Sequence, residues 1–505
     1  MSVVQLPYEL WYHIAAYLTL YDMERTKLYA LNRPFLTLYL REQYKILRLV
    51  FSCGSYFTNA DPITLSKTLS HLHSLIAENV RTLNVVLEQH SFIPKYNLPT
   101  KKLLRVLLKK LLLKRRIHKL RKNFPSFPQI HGAFSELKNL TSINCALLTE
   151  CPPFVFNSQR FLTSGISAAW TSSRNTLTCL VLTIHIYPLN DLGLDAITFP
   201  HLQQFHLILR SKLRVVVNGE IDSTPSESLT IPAPSMAQFL ARHQYTLKTL
   251  TLAFPINAQK FAAVLLNQFP VLPSLSNLQL HFTPDGIIRN PSLPLGLFKT
   301  LESNSKSIKG LSLVFRGLSG CDFLREEDSQ LYRDWWTAQS FERIQFPKLE
   351  RLQLDFYEVI NDAPLMLQFA VSSTANSLHL ESDIIPSNIE RLSTLYANLE
   401  QNCHIETLSL SMRTLTPSVL SCLAHGFSNI KTLKLRYTCI GLDDRNYDPA
   451  MFLQEISQTR FPNWSLENIY FFSRWVEHRD HQLFKKAIVK ALPRIRIIHI
   501  SSGML

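Results

Sequence analysis

The apolar positions of this chain recur in one short form: an apolar residue, two others, then two apolar residues separated by one, written here hxxhxh. It occurs at Val80/Leu83/Val85, Leu177/Leu180/Leu182, Leu202/Phe205/Leu207, Leu247/Leu250/Leu252, Leu275/Leu278/Leu280, Ile308/Leu311/Leu313 and Leu349/Leu352/Leu354. Further copies are Ile405/Leu408/Leu410, Ile430/Leu433/Leu435, Leu466/Ile469/Phe471 and Ile495/Ile498/Ile500; Leu137/Leu140/Ile143 is looser, and Leu378/Leu380 marks the core of another. Residues two apart in a strand face the same side, so each copy predicts a short strand with one apolar face, entered by a turn at its first apolar residue. One such unit cannot bury that face alone. The copies must stack, which predicts an α/β solenoid with a parallel sheet on its concave side and helices or irregular returns behind it. Helical spacing of apolar residues at 236–243, 261–268 and 392–399 supplies some of those returns. Phe199-Pro200-His201-Leu202 and Phe346-Pro347-Lys348-Leu349 lead into two strands with the same wording. Spacing between copies is irregular, and long insertions are expected at 211–234, 283–294 and 317–340.

The first 48 residues follow a different period. In the segment 6–40, LPYELWYHIAAYLTLYDMERTKLYALNRPFLTLYL, the residues Leu6, Leu10, Ile14 and Leu18 recur every fourth position with Trp11 beside them, and Pro7 suits a first helical turn. Leu28, Leu31 and Phe35 repeat the spacing, and Phe35/Tyr39 with Leu36/Leu40 follow Pro34. Three short helices bury little surface by themselves, so their apolar stripe either meets a partner or caps the following domain. In its LPxELWxxIxxYL opening and later LNRxFLxL the segment resembles an F-box, the adaptor-binding module of SCF-type ubiquitin ligases. The hxxhxh copies resemble leucine-rich repeats, in a degenerate form: no Asn follows the strands at Leu252, Leu280, Leu313, Leu354, Leu410 or Leu435, where that family places one.

The expected fold is therefore a short α-helical F-box followed by an irregular leucine-rich-repeat solenoid, a layout similar to fungal F-box proteins with repeats. The domains expected are an F-box-like module at 1–48, a connecting region with a first strand and a basic helix at 49–128, and the solenoid at 129–505. The resemblance implies that Leu6, Pro7, Leu10, Ile14 and Leu18 meet the Skp adaptor subunit, which links to a cullin-RING scaffold. It also implies that the repeats select a protein substrate, and that the chain is not itself an enzyme. A second reading is a scaffold or nuclear partner-binding repeat protein whose F-box recruits no ligase.

Composition narrows the alternatives. Hydrophobic residues make up 46% and charged ones 18%, enough for a continuous core. Cys53, Cys145, Cys151, Cys179, Cys321, Cys403, Cys422 and Cys439 lie far apart without a CxxC pair, which reads as reduced, mostly buried thiols in an intracellular protein of the nucleus or cytoplasm. Glu9, Trp11 and His13 interrupt any secretion signal, and Arg105, Lys109 and Lys110 interrupt the most leucine-rich window, so no transmembrane segment is expected. No GxSxG, Walker or HExxH motif occurs, His478 and His481 lack matching metal ligands, and neither a cofactor nor a metal is expected.

The net charge is +15, and residues 101–122 hold eleven Lys or Arg with no acid. Leu103, Leu104, Leu107, Leu108, Leu111 and Leu112 fill one helical face there, with Lys109 and Lys110 on the other and Lys114, Arg115 and Arg116 just beyond. A solvated helix with a basic loop, an import signal, a dock for an acidic or phosphorylated partner, and weak attachment to nucleic acid or an anionic membrane all fit. Nucleic acid is disfavoured because no aromatic residue lies between Tyr96 and Phe124 to stack on bases. Trp335 and Trp336, inside an expected insertion, suit either a core or a partner anchor.

Substrate binding is expected on the concave face. In hxxhxh strands the residue between the last two apolar positions, and those flanking them, point away from the core. That face carries Arg351, Gln353 and Asp355, then Thr407, Ser409 and Ser411, then Thr432, Lys434 and Arg436, then Asn468, Tyr470 and Phe472, with His499 near the end. Thr249, Thr251, Asn277, Gln279 and His281 are its weakly charged forerunners. Arg351, Asp355, Lys434, Arg436, Tyr470, Phe472 and His499 are the candidate contacts, a set that suits an acidic or phosphorylated peptide.

Overall fold

The hxxhxh copies do form strands, stacked in chain order and parallel throughout each unit. A computed structural model describes residues 39, 41, 43–53, 77–89, 127–147, 165–185, 189, 192–210, 232–255, 258–283, 293–315, 343–356, 374–384, 386–397, 404–441, 449–473 and 481–501. The chain divides into two units, Met1–Leu247 and Lys248–Leu505. In the first, β1 (Ile46–Cys53), β2 (Thr82–Gln89), β3 (Ser142–Leu147), β4 (Cys179–His185) and β5 (Gln204–Arg210) each pair with the next. One register row runs Leu49, Val85, Cys145, Leu182, Leu207, and every member is buried.

In the second unit the strands are β6 (Thr249–Phe254), β7 (Asn277–Phe282), β8 (Gly310–Phe315), β9 (Arg351–Phe356), β10 (Ser377–Ile384), β11 (Thr407–Leu415), β12 (Thr432–Ile440), β13 (Asn468–Ser473) and β14 (Ile497–Ser501). Their row of last apolar residues runs Leu252, Leu280, Leu313, Leu354, Leu380, Leu410, Leu435, Phe471, Ile500. All but Ile500 are buried, because only Ile500 has no strand beyond it among the described residues. At the far end of β6 to β8, Phe254, Phe282 and Phe315 continue the core as a ring stack with centroids 5.5 and 5.6 Å apart.

Parallel neighbours require a crossover, and among the described residues nine helices lie in such connections. The first unit has α1 (Phe127–Ser135), α2 (Ser167–Ser172) and α3 (Pro232–Arg242). The second has α4 (Gln259–Asn267), α5 (Leu293–Asn304), α6 (Pro386–Ala397), α7 (Pro417–Gly426), α8 (Pro449–Gln458) and α9 (His481–Ala491). Their boundaries follow local chemistry. Thr416 Oγ1 accepts the Val419 N–H at 3.2 Å and Pro417 occupies the first turn, which starts α7 abruptly. Consecutive helices pack on each other in the pairs α1/α2, α4/α5, α6/α7 and α8/α9.

Two backbone devices hold the register. The carbonyl just before a strand accepts two consecutive N–H groups from the next repeat, as Lys248 does from Ser276 and Asn277 and Lys431 does from Glu467 and Asn468, all at 2.9 Å. Where charged side chains at this position are consecutive in the second unit, they are of opposite sign. Lys309 meets Glu350 at 2.8 Å, Glu406 meets Lys431 at 2.6 Å, and Glu467 meets Arg496 at 3.2 Å. Such exposed pairs contribute little stability; a one-residue slip between two strands separates the pair that joins them, so each favours its own register.

The second device replaces the missing post-strand Asn. His243, four residues before Leu247, donates Nδ1–H to Phe239 O at 2.7 Å while its Nε2 accepts the Phe199 N–H at 2.9 Å from the preceding repeat. Asn304, four residues before Ile308, does the same: Nδ2 donates to Thr300 O at 2.9 Å and Oδ1 accepts the Leu272 N–H at 2.7 Å. Repeats are thus tied together behind the strands rather than after them.

Several expectations shift. β1 begins at Ile46 and so straddles the boundary drawn after residue 48. In the looser copy, β3 buries Ile143, Cys145 and Leu147, so the repeat is Leu140/Ile143/Cys145; a cysteine stood where a leucine was sought. Leu378/Leu380 belongs to a full strand, β10, with a register shift between Leu380 and Ile384. Among the described cysteines, Cys145 is buried, its thiol pushed up to about 12 by loss of solvent, while Cys179, Cys422 and Cys439 are partly exposed. The adaptor-binding set Leu6, Pro7, Leu10, Ile14 and Leu18, the basic set Lys109, Lys110, Lys114, Arg115 and Arg116, and Trp335 with Trp336 lie outside the described residues. No helix among the described residues is long and apolar enough to cross a membrane.

Candidate binding groove

Strand alternation creates the candidate site. With Leu433 and Leu435 of β12 and Ile469 and Phe471 of β13 turned into the core, Lys434, Arg436, Tyr470 and Phe472 must stand on the opposite, open face. Register then aligns them. Lys434 pairs with Tyr470 and Tyr470 with His499, while Arg436 pairs with Phe472. The Lys434 ammonium sits 5.8 Å from the centroid of the Tyr470 ring, within range of a cation–π attraction. The His499 ring lies 5.9 Å from Tyr470 and 6.4 Å from Phe472, tilted against both. Together with Thr407 and Thr432 these side chains line a groove of about 430 Å³. Arg436 and His499 are exposed, and Lys434, Tyr470 and Phe472 are half-buried, so the two rings give the groove an apolar side with Lys434 and Arg436 next to it.

Five of the seven predicted contacts therefore meet: Lys434, Arg436, Tyr470, Phe472 and His499. Arg351 stands elsewhere. It is exposed on β9, and its Nη2 donates to Asn277 Oδ1 on β7 at 2.9 Å, passing over Gly310 of the intervening β8. A Cβ on Gly310 would lie 2.6 Å from that Asn277 oxygen, so the missing side chain is what allows the reach. At about 4.8 Å per strand, β9 is roughly 14 Å from β12.

Asp355 is the clearer departure: it has the predicted facing but only 2% exposure. Its row explains why. Ala253, His281, Val314 and Asp355 align across β6 to β9, and Ala253 and Val314 are buried as well. The open face is covered along that row, and alternation alone carries no information about cover.

His379 was missed because its strand was recognised only by two leucines. It occupies the open-face position between Leu378 and Leu380, in the row that continues through Ser409 to Lys434. Its Nε2 lies 3.0 Å from Ser377 Oγ. Burial, seconded by Lys434 and Arg351 and opposed by Glu381, holds its imidazole below the usual histidine range, which leaves it neutral near pH 7. The fixed positive charge at the groove therefore comes from Lys434, with Arg436 beside it. Thr407 and Thr432 were placed on the face from the sequence, and the structure adds them to the lining.

Chemically the arrangement offers contacts that an extended segment could use. Two aromatic rings offer apolar contact, the threonines offer hydroxyls, and a lysine and an arginine attract anions. Among the described residues no group of His, Cys, Asp and Glu could hold a metal ion. No protein-family model matches the chain, and no curated protein is similar to it.

Proposed function

We propose that this chain is the substrate-recognition subunit of an SCF-type ubiquitin ligase, with the F-box-like segment 6–40 binding the Skp adaptor and, through it, a cullin-RING scaffold. The open face of the second unit takes the protein substrate. On this reading the chain performs no chemistry; it positions a partner for others to modify, in the nucleus or cytoplasm. The observation that carries the binding half is the Lys434, Tyr470, Phe472 and His499 groove, which sets two aromatic rings beside fixed positive charge. It suits a segment that combines an acidic or phosphorylated residue with an apolar one. The adaptor half rests on the resemblance of LPYELWYHIAAYL to an F-box.

Affinity capture tests both halves. The intact chain should retain adaptor, cullin and substrates, whereas a chain lacking residues 1–37, which leaves β1 whole, should retain substrates alone. The double variant Leu6→Ala, Pro7→Ala should behave like the truncation at unchanged thermal stability, because a surface stripe is lost and no distant core is touched. Undiminished adaptor recovery from either variant would sink the ligase reading and favour a scaffold that binds partners through the same groove.

A further inference from the structure

The strands that carry the groove contain no Asp or Glu; β11 to β14 hold Lys434, Arg436 and a third cation, Arg413. Met412 and Thr414 are buried, so Arg413 between them stands on the open face, where it is exposed. Register places it. Met412 pairs with Tyr437 and Thr414 with Cys439, so Arg413 lies level with Thr438, two positions beyond Arg436 and one strand to the side. Lys434, Arg436 and Arg413 therefore occupy three successive levels of the face, each about 7 Å past the last along the strands. Among the described residues no acid forms a salt bridge with any of them. Like charges on adjacent strands destabilise a sheet, so nothing in its packing calls for this stack, and an anionic ligand relieves it. Beside the cations runs an aromatic column. Tyr470 and Phe472 of β13 stand at the levels of Lys434 and Arg436, about 5 Å to the side.

We infer that this surface takes an unmodified, extended protein segment that alternates acidic and apolar residues, lying along the line between β12 and β13 with its acids toward Lys434, Arg436 and Arg413 and its apolar side chains toward Tyr470 and Phe472. An extended chain sends successive side chains to opposite sides and repeats each side at about 7 Å, which matches both columns. Either direction of the segment gives the same match. Arg413, one strand further out, meets the third acid through the length of its side chain. Spacing also selects carboxylates over a phosphate, which calls for cations that converge on one point. Here they diverge: the Lys434 ammonium leans to the Tyr470 ring on β13, while Arg413 projects from β11 on the other side of β12. His379, the next titratable side chain in the Lys434 row, adds no charge near pH 7, because burial holds it below the usual histidine range. The occupant so described is the substrate of the reading above, on which this assignment rests; the adaptor segment plays no part in it.

The probes are three fluorescein-labelled peptides: GSDLDFDLSG, which alternates; GSDDDLFLSG, the same residues in blocks; and the alternating peptide with its middle Asp replaced by phosphoserine and its outer two by Asn. Fluorescence anisotropy with the full-length chain should give saturable binding of the first, about tenfold tighter than of either other peptide. Arg413→Ala should weaken the first by about tenfold, the loss of one charged contact, and should affect a two-acid version, GSDLDFSG, less. Arg413 is exposed, and an unchanged thermal midpoint shows that the variant folds. Alternating-peptide binding that is no tighter than that of the block peptide, or that ignores Arg413→Ala, overturns the inference. Tighter binding of the phosphorylated peptide overturns it too, in favour of a phosphorylated segment. In these cases the groove reading itself survives if Lys434→Ala and Phe472→Ala weaken the binding observed; loss of that dependence, or no binding of any peptide, removes both.

Discussion

At the scale of single residues, His243 is a buried polar group with both ring nitrogens engaged. Its neutral form has one donor and one acceptor, and both are used, toward Phe239 O and the Phe199 N–H. Phe199 and Phe239 pack their rings against it, and burial holds its pKa below the ordinary 6.5. Because the folded-state pKa is the lower one, the unfolded chain takes up the proton first. The contribution of His243 to stability is complete above pH 6.5 and is lost as pH falls from there through the folded-state value. His206, His281 and His379 shift in the same direction, so the test is a difference. His243→Asn can repeat what Asn304 does in the next unit; it should keep most of the stability at pH 7 and lose less than the wild type between pH 7 and 5. His243→Leu should cost about 1–3 kcal/mol at pH 7, since the buried Phe199 N–H is left unpaired. Urea unfolding at both pH values measures each difference, and a parallel pH dependence in all three proteins would exclude this role.

At the scale of elements, helix packing behind the sheet depends on glycine at one place and tolerates its replacement at another. A Cβ on Gly426 of α7 would lie 2.5 Å from both the Cα and the O of Ser393 in α6, and these are backbone atoms that cannot swing away. Ser393 Oγ also donates to the Cys422 carbonyl of α7, so the two helices are drawn together at this point. Gly426→Ala should therefore lower stability by about 1–3 kcal/mol through overpacking. Gly132, exposed within α1, has nothing within 4 Å of its missing Cβ. Gly132→Ala should raise stability by about 0.5–1 kcal/mol, the difference in helix propensity. Thermal unfolding of the two variants should move in opposite directions, and a rise with Gly426→Ala would mean that α6 and α7 separate freely. The helix faces also show why several helices escaped notice in the sequence. α7 buries Pro417, Val419, Leu420, Leu423 and Gly426, a stripe interrupted by small and polar residues that hydropathy does not mark.

At the scale of the whole molecule, the groove and the adaptor segment make separable predictions. Lys434→Glu with Arg436→Glu should remove captured substrates while leaving adaptor recovery unchanged, because both side chains stand on the open face and neither contributes to the core. Quantitative capture would show an unchanged substrate list if recognition lies instead in the insertions around Trp335 and Trp336. The pair is chosen over Arg351, whose guanidinium is engaged by Asn277 and stands strands away from the groove.

The sequence by itself determined the strands from β2 onward, their parallel order within each unit and the facing of nearly every side chain on them. The reason is periodicity: an apolar pair two apart states which side is buried, and a copy that cannot bury that side alone states that it must stack. That was enough to bring Lys434, Arg436, Tyr470, Phe472 and His499 to one face before any coordinates. Tertiary structure alone decided what covers a face and which neighbours share a row. Asp355 faces as predicted and is nonetheless buried, Arg351 is drawn off by an asparagine 74 positions away through the gap at Gly310, and His379 becomes a neighbour of Lys434 across Ser409. Each outcome depends on contacts between residues remote in the chain, and periodicity describes only residues close along it.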